Sequence, residues 1–92
     1  MVKVRTRIMI KGQVQGMYFR AGIKKRAKEL TLRGWVRNNP DGSVEALVEG
    51  DDVILDRLIE YCKVGPQGAK VETVEIKKEK FENAFTDFVI KY

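Results

Sequence analysis

One stretch of the chain carries most of its chemical potential: Gly12-Gln13-Val14-Gln15-Gly16-Met17-Tyr18-Phe19-Arg20. Its two glycines stand four residues apart and allow left-handed or strained backbone angles. A loop of that kind can turn several N–H groups toward one point. Where it feeds a helix, the positive helix end adds to the field. Arg20 falls in the first turn of the helix that follows, and a planar guanidinium can grip two oxygens of one anion. The chemistry on offer is a cradle for a small tetrahedral anion, built from backbone amides and one side chain. On spacing alone, glycines between a strand and a helix are more simply turn residues, and an early helical arginine is more simply solvated. The stretch lacks the Gly-Lys-Ser/Thr of a Walker loop, and its glycines do not fit a dinucleotide fingerprint.

Asn38, in Gly34-Trp35-Val36-Arg37-Asn38, stands before Asn39-Pro40, where an asparagine more simply begins a turn. The absences narrow the chemistry further. The 92 residues include no histidine and one cysteine, Cys62. A disulfide framework, zinc sites built from His and Cys, a histidine general base and a Ser-His-Asp triad are all excluded. Cys62 also lacks a cysteine phosphatase's Cys-x5-Arg spacing, since Gly68 stands where the arginine would be. The formal net charge of +5 favours anionic partners without separating a small phosphate from a nucleic acid.

The elements that must hold these residues are readable from periodicity. Residues 2–11 alternate, with Val2, Val4, Thr6, Ile8 and Ile10 on one side and Lys3, Arg5, Arg7, Met9 and Lys11 on the other. Period two with one apolar face predicts a half-buried strand whose basic stripe lies on an open, solvated sheet face. Phe19, Ile23, Ala27 and Leu30 make a helical stripe, predicting a helix over about 20–31. Residues 34–38 and 43–49 read as strands joined by Asn39-Pro40-Asp41-Gly42, a hairpin turn. Asp51 and Asp52 open a second helix with an apolar stripe of Leu55, Leu58, Ile59 and Cys62, ending near Val64-Gly65-Pro66. Residues 71–79 form a fourth strand with Val74 and Ile76 inward. Residues 85–92 form a last, short one with Phe88, Ile90 and Tyr92 on a common face, Tyr92 either helping to close the core or standing near the candidate loop, for which the residues alone give no support. The expected fold is α+β: a ferredoxin-like βαββαβ sandwich, with an antiparallel sheet, both helices on one face and a short fifth C-terminal strand. At 43% hydrophobic and 34% charged residues, the chain has the composition of one globular domain spanning 1–92. No apolar run reaches the roughly 20 residues of a membrane span, and residues 1–12 do not resemble a signal peptide. A cytoplasmic monomer is expected. Abundant Lys and Glu with few Asn, Gln and Cys suggests thermostability.

Gly12-Gln13-Val14-Gln15-Gly16-Met17-Tyr18-Phe19-Arg20, followed by Gly34-Trp35-Val36-Arg37-Asn38 and closed by Phe88-Val89-Ile90-Lys91-Tyr92, resembles the acylphosphatase family over essentially the whole chain. That family shows a Gly-x-Val-Gln-Gly-Val-x-Phe-Arg loop, a Gly-Trp-Val-Arg/Lys-Asn strand and a Phe-x-Ile-x-Tyr/Arg close. The resemblance implies metal-independent hydrolysis of acyl phosphates to a carboxylate and inorganic phosphate, with no cofactor. It implies that the loop from Gly12 to Phe19 and Arg20 bind the phosphoryl group and that Asn38 positions the attacking water. Two departures stand out: Met17 where valine is commoner, and Asn39 where threonine or serine is frequent.

Two other functions are compatible with such a sandwich. RNA binding uses an open sheet face with stacking aromatics, which the first strand does not supply. A small-molecule regulatory domain would bind without turnover, and such domains usually sit inside longer chains. Trp35 is expected to pack rather than stack a ligand, and Cys62 to be a buried, inert thiol.

Overall fold

A computed structural model describes residues 2–92. The elements run β1 (Lys3–Gln13), α1 (Phe19–Glu29), β2 (Arg33–Asn38), β3 (Val44–Asp51), α2 (Asp52–Val64), β4 (Lys70–Glu79) and β5 (Phe88–Lys91). They form one five-stranded sheet in the order β4-β1-β3-β2-β5. β1 pairs antiparallel with β3 and β4, and β2 pairs antiparallel with β3. β5 lies parallel to β2, Gly34 opposite Phe88 and Arg37 opposite Lys91. The sheet is therefore mixed. The first four strands have the expected antiparallel ferredoxin-like arrangement, and the short fifth strand is the exception to it.

The period-two pattern of β1 does its expected work. Thr6, Ile8 and Ile10 are buried against Phe19, Ile23 and Ala27 of α1 and Leu55, Leu58 and Cys62 of α2. Val36, Val44, Ala46, Val48 and Phe88 complete the core, so both helices cover the same sheet face. α2 is capped by Asp51, whose carboxylate accepts from the amides of Val53 and Ile54 at 3.0 and 3.2 Å. Among the described residues, no helix is long and apolar enough to cross a membrane.

The other sheet face departs from expectation. Arg5 and Arg7 are not a freely solvated stripe. Register places them beside β3, whose Glu45 and Glu49 point to the same side. Arg5 pairs with Glu49 at 3.0 Å and Glu82 at 2.8 Å. Arg7 pairs with Glu45 and, at 2.7 Å, with Glu79, and Arg37 pairs with Glu45 at 3.0 Å. An aromatic also stands on this face. Trp35 lies beneath the charges of Arg7, Arg37 and Lys91, 6.0, 4.9 and 4.7 Å from its ring. It is only 8% exposed, so it offers no open ring for a base to stack on. Val74 and Ile76 do lie on the helix side, opposite Ile10 and Ile8, but on edge strand β4 Ile76 is 41% exposed.

Candidate active site

Three segments meet at one edge of the sheet because of its register. β1 ends there, β3 begins there and β2 ends there: Ile10 is opposite Val44, and Val44 is opposite Asn38. The connection from β1 to α1, the β2–β3 hairpin and the end of β5 therefore share that edge.

Of the stretch singled out in the sequence, Gly12 and Gln13 prove to belong to β1, paired with Val71 and Lys70 of β4 across a register shift. Gly12 has φ of 130°, and a Cβ there would sit 2.2 Å from the Lys70 carbonyl oxygen, so the position requires glycine. Val14 and Phe19 are each 1% exposed and packed in the core. They are anchors held in the core. The part of the stretch taken up neither by β1 nor by the core narrows to residues 15–18 and Arg20. Within it Gly16, Met17 and Tyr18 all take positive φ, at 81°, 54° and 60°. For the two non-glycine residues this costs about 1–2 kcal/mol each. The buried anchors on either side, and the 3.1 Å bond from the Phe19 amide to the Gly16 carbonyl, hold the loop in it.

Such a run of turn residues directs successive N–H groups to one side. The amides of Gln15, Gly16, Met17 and Tyr18 are not committed to any backbone carbonyl among the described residues. Tyr18 is the N-cap of α1, but no side chain caps the helix and no acid stands in its first turn. The helix start is thus electropositive and unneutralised. Arg20 sits in that first turn, half-buried, with its guanidinium over the Tyr92 ring at 5.1 Å.

Asn38 lies two residues beyond the buried Val36, on the helix side of the sheet. Its Oδ1 is buried and has no hydrogen-bond partner. Such an orphan acceptor is uncommon in a native protein and calls for an explanation. β1 and β2 are not neighbours, since β3 runs between them. The loop and the hairpin are joined instead by Gln15, whose Nε2 donates to the carbonyls of Asn39 at 2.7 Å and Ser43 at 3.0 Å. The hairpin is the expected turn: the Gly42 amide donates to Asn39, and Asp41 accepts from the Ser43 amide and hydroxyl. Asn39, standing where the family favours threonine or serine, sends its Nδ2 to Ser43 Oγ and Glu45 Oε1, at 3.1 and 3.2 Å. It thereby ties the hairpin to the ion pairs on the open face.

The sequence did not reveal the Gln15 clamp, the Asn39 link or the Arg20–Tyr92 stack. Tyr92, expected to close the core, is fully exposed and lies against Arg20 instead. Cys62 is buried in the core, where burial pushes its thiol up to about 12. At ordinary pH it is a protonated packing residue.

Fold and site together define a class: small α+β sandwiches whose first strand-to-helix connection is a left-handed loop of free amides backed by an arginine. Residues 6–90 match the family model described as Acylphosphatase. The chain belongs to the acylphosphatase family and is a hydrolase. It is 47% identical over 91 residues to an acylphosphatase of Pyrobaculum islandicum, covering 98% of this chain and 96% of the relative. An acylphosphatase of Aeropyrum pernix is 46% identical over 97% of this chain and 89% of its own length. The crystal structure of acylphosphatase from Bacillus subtilis superposes with a TM-score of 0.92 at 34% identity, over 97% of this chain and 99% of that one.

Proposed function

We propose that the chain hydrolyses carboxyl-phosphate mixed anhydrides to a carboxylate and inorganic phosphate without a metal ion. Its family supports the substrate class. The observation that carries the mechanism is the left-handed run Gly16-Met17-Tyr18 opening an uncapped helix beside Arg20. The amides of residues 15–18 and the Arg20 guanidinium take the phosphoryl oxygens. They stabilise the charge spread over those oxygens in the transition state.

The Asn38 carboxamide hydrogen-bonds the attacking water and holds it in line. The water oxygen bonds to phosphorus as the bond from phosphorus to the acyl oxygen breaks. The electron pair leaves on a carboxylate, a stable anion that needs no general acid. The water's proton passes to a phosphoryl oxygen of the substrate, consistent with a chain that contains no histidine. Positioning and charge stabilisation are then the whole of the protein's contribution.

Titration of ¹⁵N-labelled protein with inorganic phosphate tests the cradle. The amide resonances of residues 15–20 should shift together and saturate, and Arg20→Ala should weaken the response. Saturable shifts confined to another part of the sheet would refute the assignment.

A further inference from the structure

We infer that Gln15 is a positioning residue that sets the distance between the phosphoryl cradle and Asn38; this rests on the roles proposed above for Arg20 and Asn38. The two oxygens it binds are the closing pair of the hairpin. The Ser43 carbonyl also accepts from the Asn39 amide at 2.9 Å, and the Asn39 carbonyl also accepts from the Gly42 amide at 3.1 Å. The Gln15 side chain reaches both from outside the hairpin, at 2.7 and 3.0 Å. A carboxamide NH₂ has two donors, which match two acceptors; the neutral alternative, asparagine, is one methylene shorter. Asn39 is bonded to Asn38, so the clamp fixes the backbone that carries the orphaned Oδ1. At its other end Gln15 precedes the three left-handed residues, so the same clamp restrains the cradle. No ladder joins β1 to β2. Gln15 supplies a direct bridge between the segment that holds the phosphoryl group and the segment that holds the water. A displacement of about 1 Å between such groups is enough to slow a reaction about a hundredfold.

The test uses benzoyl phosphate turnover by Gln15→Leu and Gln15→Glu, with folding checked by circular dichroism at every pH. Gln15→Leu removes both donors. Gln15→Glu, when ionised, sets a carboxylate against two carbonyls; when protonated, it regains one donor. Loss of both bonds should lower kcat about tenfold or more. The KM and the inhibition constant of inorganic phosphate should move by less than about threefold, because the cradle's own donors remain. The ratio of Gln15→Glu to wild-type kcat should rise as pH falls through the introduced carboxyl's pKa, which facing carbonyls hold above its ordinary value of about 4.3. Gln15→Leu should show no such rise. Wild-type kcat in folded Gln15→Leu overturns the proposal, as does a loss that tracks only the unfolded fraction. So does a pH-independent ratio for Gln15→Glu. Arg20→Ala and Asn38→Ala run alongside: full activity in those two variants would remove the underlying mechanism, whereas impairment there with an unimpaired Gln15→Leu removes the clamp alone.

Discussion

The guanidinium of Arg20 lies over the ring of Tyr92, 5.1 Å from its centroid. The contact is possible because β5 runs parallel to β2, which brings the chain beyond Lys91 to the edge where Asn38 ends its strand. An exposed cation–π contact contributes about 0.5–1 kcal/mol. Tyr92→Leu should therefore lower kcat/KM by a factor of about 2–5, while Tyr92→Phe keeps most of it. Steady-state kinetics with benzoyl phosphate decides this. Equal values for wild type and Tyr92→Leu would show that the stack does not hold Arg20 in place.

Acid should unfold the protein through the open sheet face. Burial works to raise the Glu45 pKa, but hydrogen bonds from Arg7, Arg37 and Asn39 outweigh it, and the net shift is downward. Glu49 behaves likewise, with burial opposed by the amides of Glu82 and Ala84 and by Arg5. A carboxyl depressed on folding stabilises the native state above its unfolded pKa, and that stability is lost as pH falls through the folded value. Stability should thus be level above about pH 5 and drop steadily below about pH 4.5. Urea titrations from pH 7 to pH 3 measure it. Glu45→Gln should flatten the slope; an unchanged slope would mean that other groups govern acid unfolding.

The end of α1 carries a removable cost. Thr31 has φ of 57°, and the Leu32 amide reaches back to the Ala27 carbonyl at 2.8 Å while the Thr31 amide reaches Lys28 at 3.1 Å. This pattern prefers glycine at the left-handed position. A β-branched residue there is strained by about 1–2 kcal/mol. Glycine's larger unfolded-state entropy offsets part of that. Thr31→Gly should raise stability by roughly 0.5–1 kcal/mol and the Tm by several degrees. Calorimetry that finds a lower Tm would show that the Thr31 hydroxyl, 2.6 Å from the Leu30 carbonyl, outweighs the strain.

Thermostability is the fourth expectation. Arg5, Arg7 and Arg37 each join Glu45, Glu49, Glu79 or Glu82 in linked pairs. Such networks matter most at high temperature, where charged groups cost less to desolvate. A Tm above about 65 °C, past the mesophile range, should be found by calorimetry at neutral pH. A lower value would remove the inference.

What the sequence disclosed follows from which interactions are local. The alternation through Thr6, Ile8 and Ile10 and the stripe of Phe19, Ile23 and Ala27 describe each element's own buried face, and these held. The turn Asn39-Pro40-Asp41-Gly42 is written in its own residues and also held. Contacts between strands far apart in sequence were not legible. The basic stripe of β1 reads as solvated until Glu45 and Glu49 are placed beside it. β5 has four residues, too few for a pattern to reveal its direction. The candidate site shows the same division. Gly16 and Arg20 were visible as types at a spacing, and Asn38 through family resemblance. The Gln15 clamp and the Tyr92 stack depend on which segments share a sheet edge. Val14 looks like a loop residue in sequence because its burial is decided by the helices above it.

The central claim is that Arg20 holds the phosphoryl group and Asn38 the water, with no metal. Initial rates of benzoyl phosphate hydrolysis in EDTA, for wild type, Arg20→Ala and Asn38→Ala of verified fold, test it most directly. Removing one preorganised donor from a charge-stabilising site typically costs about 10²–10³ in rate. The predicted result is metal-free turnover by wild type and a loss of at least that size in each variant. A folded wild type that turns over only when metal is restored, or either variant at near wild-type rate, would contradict it.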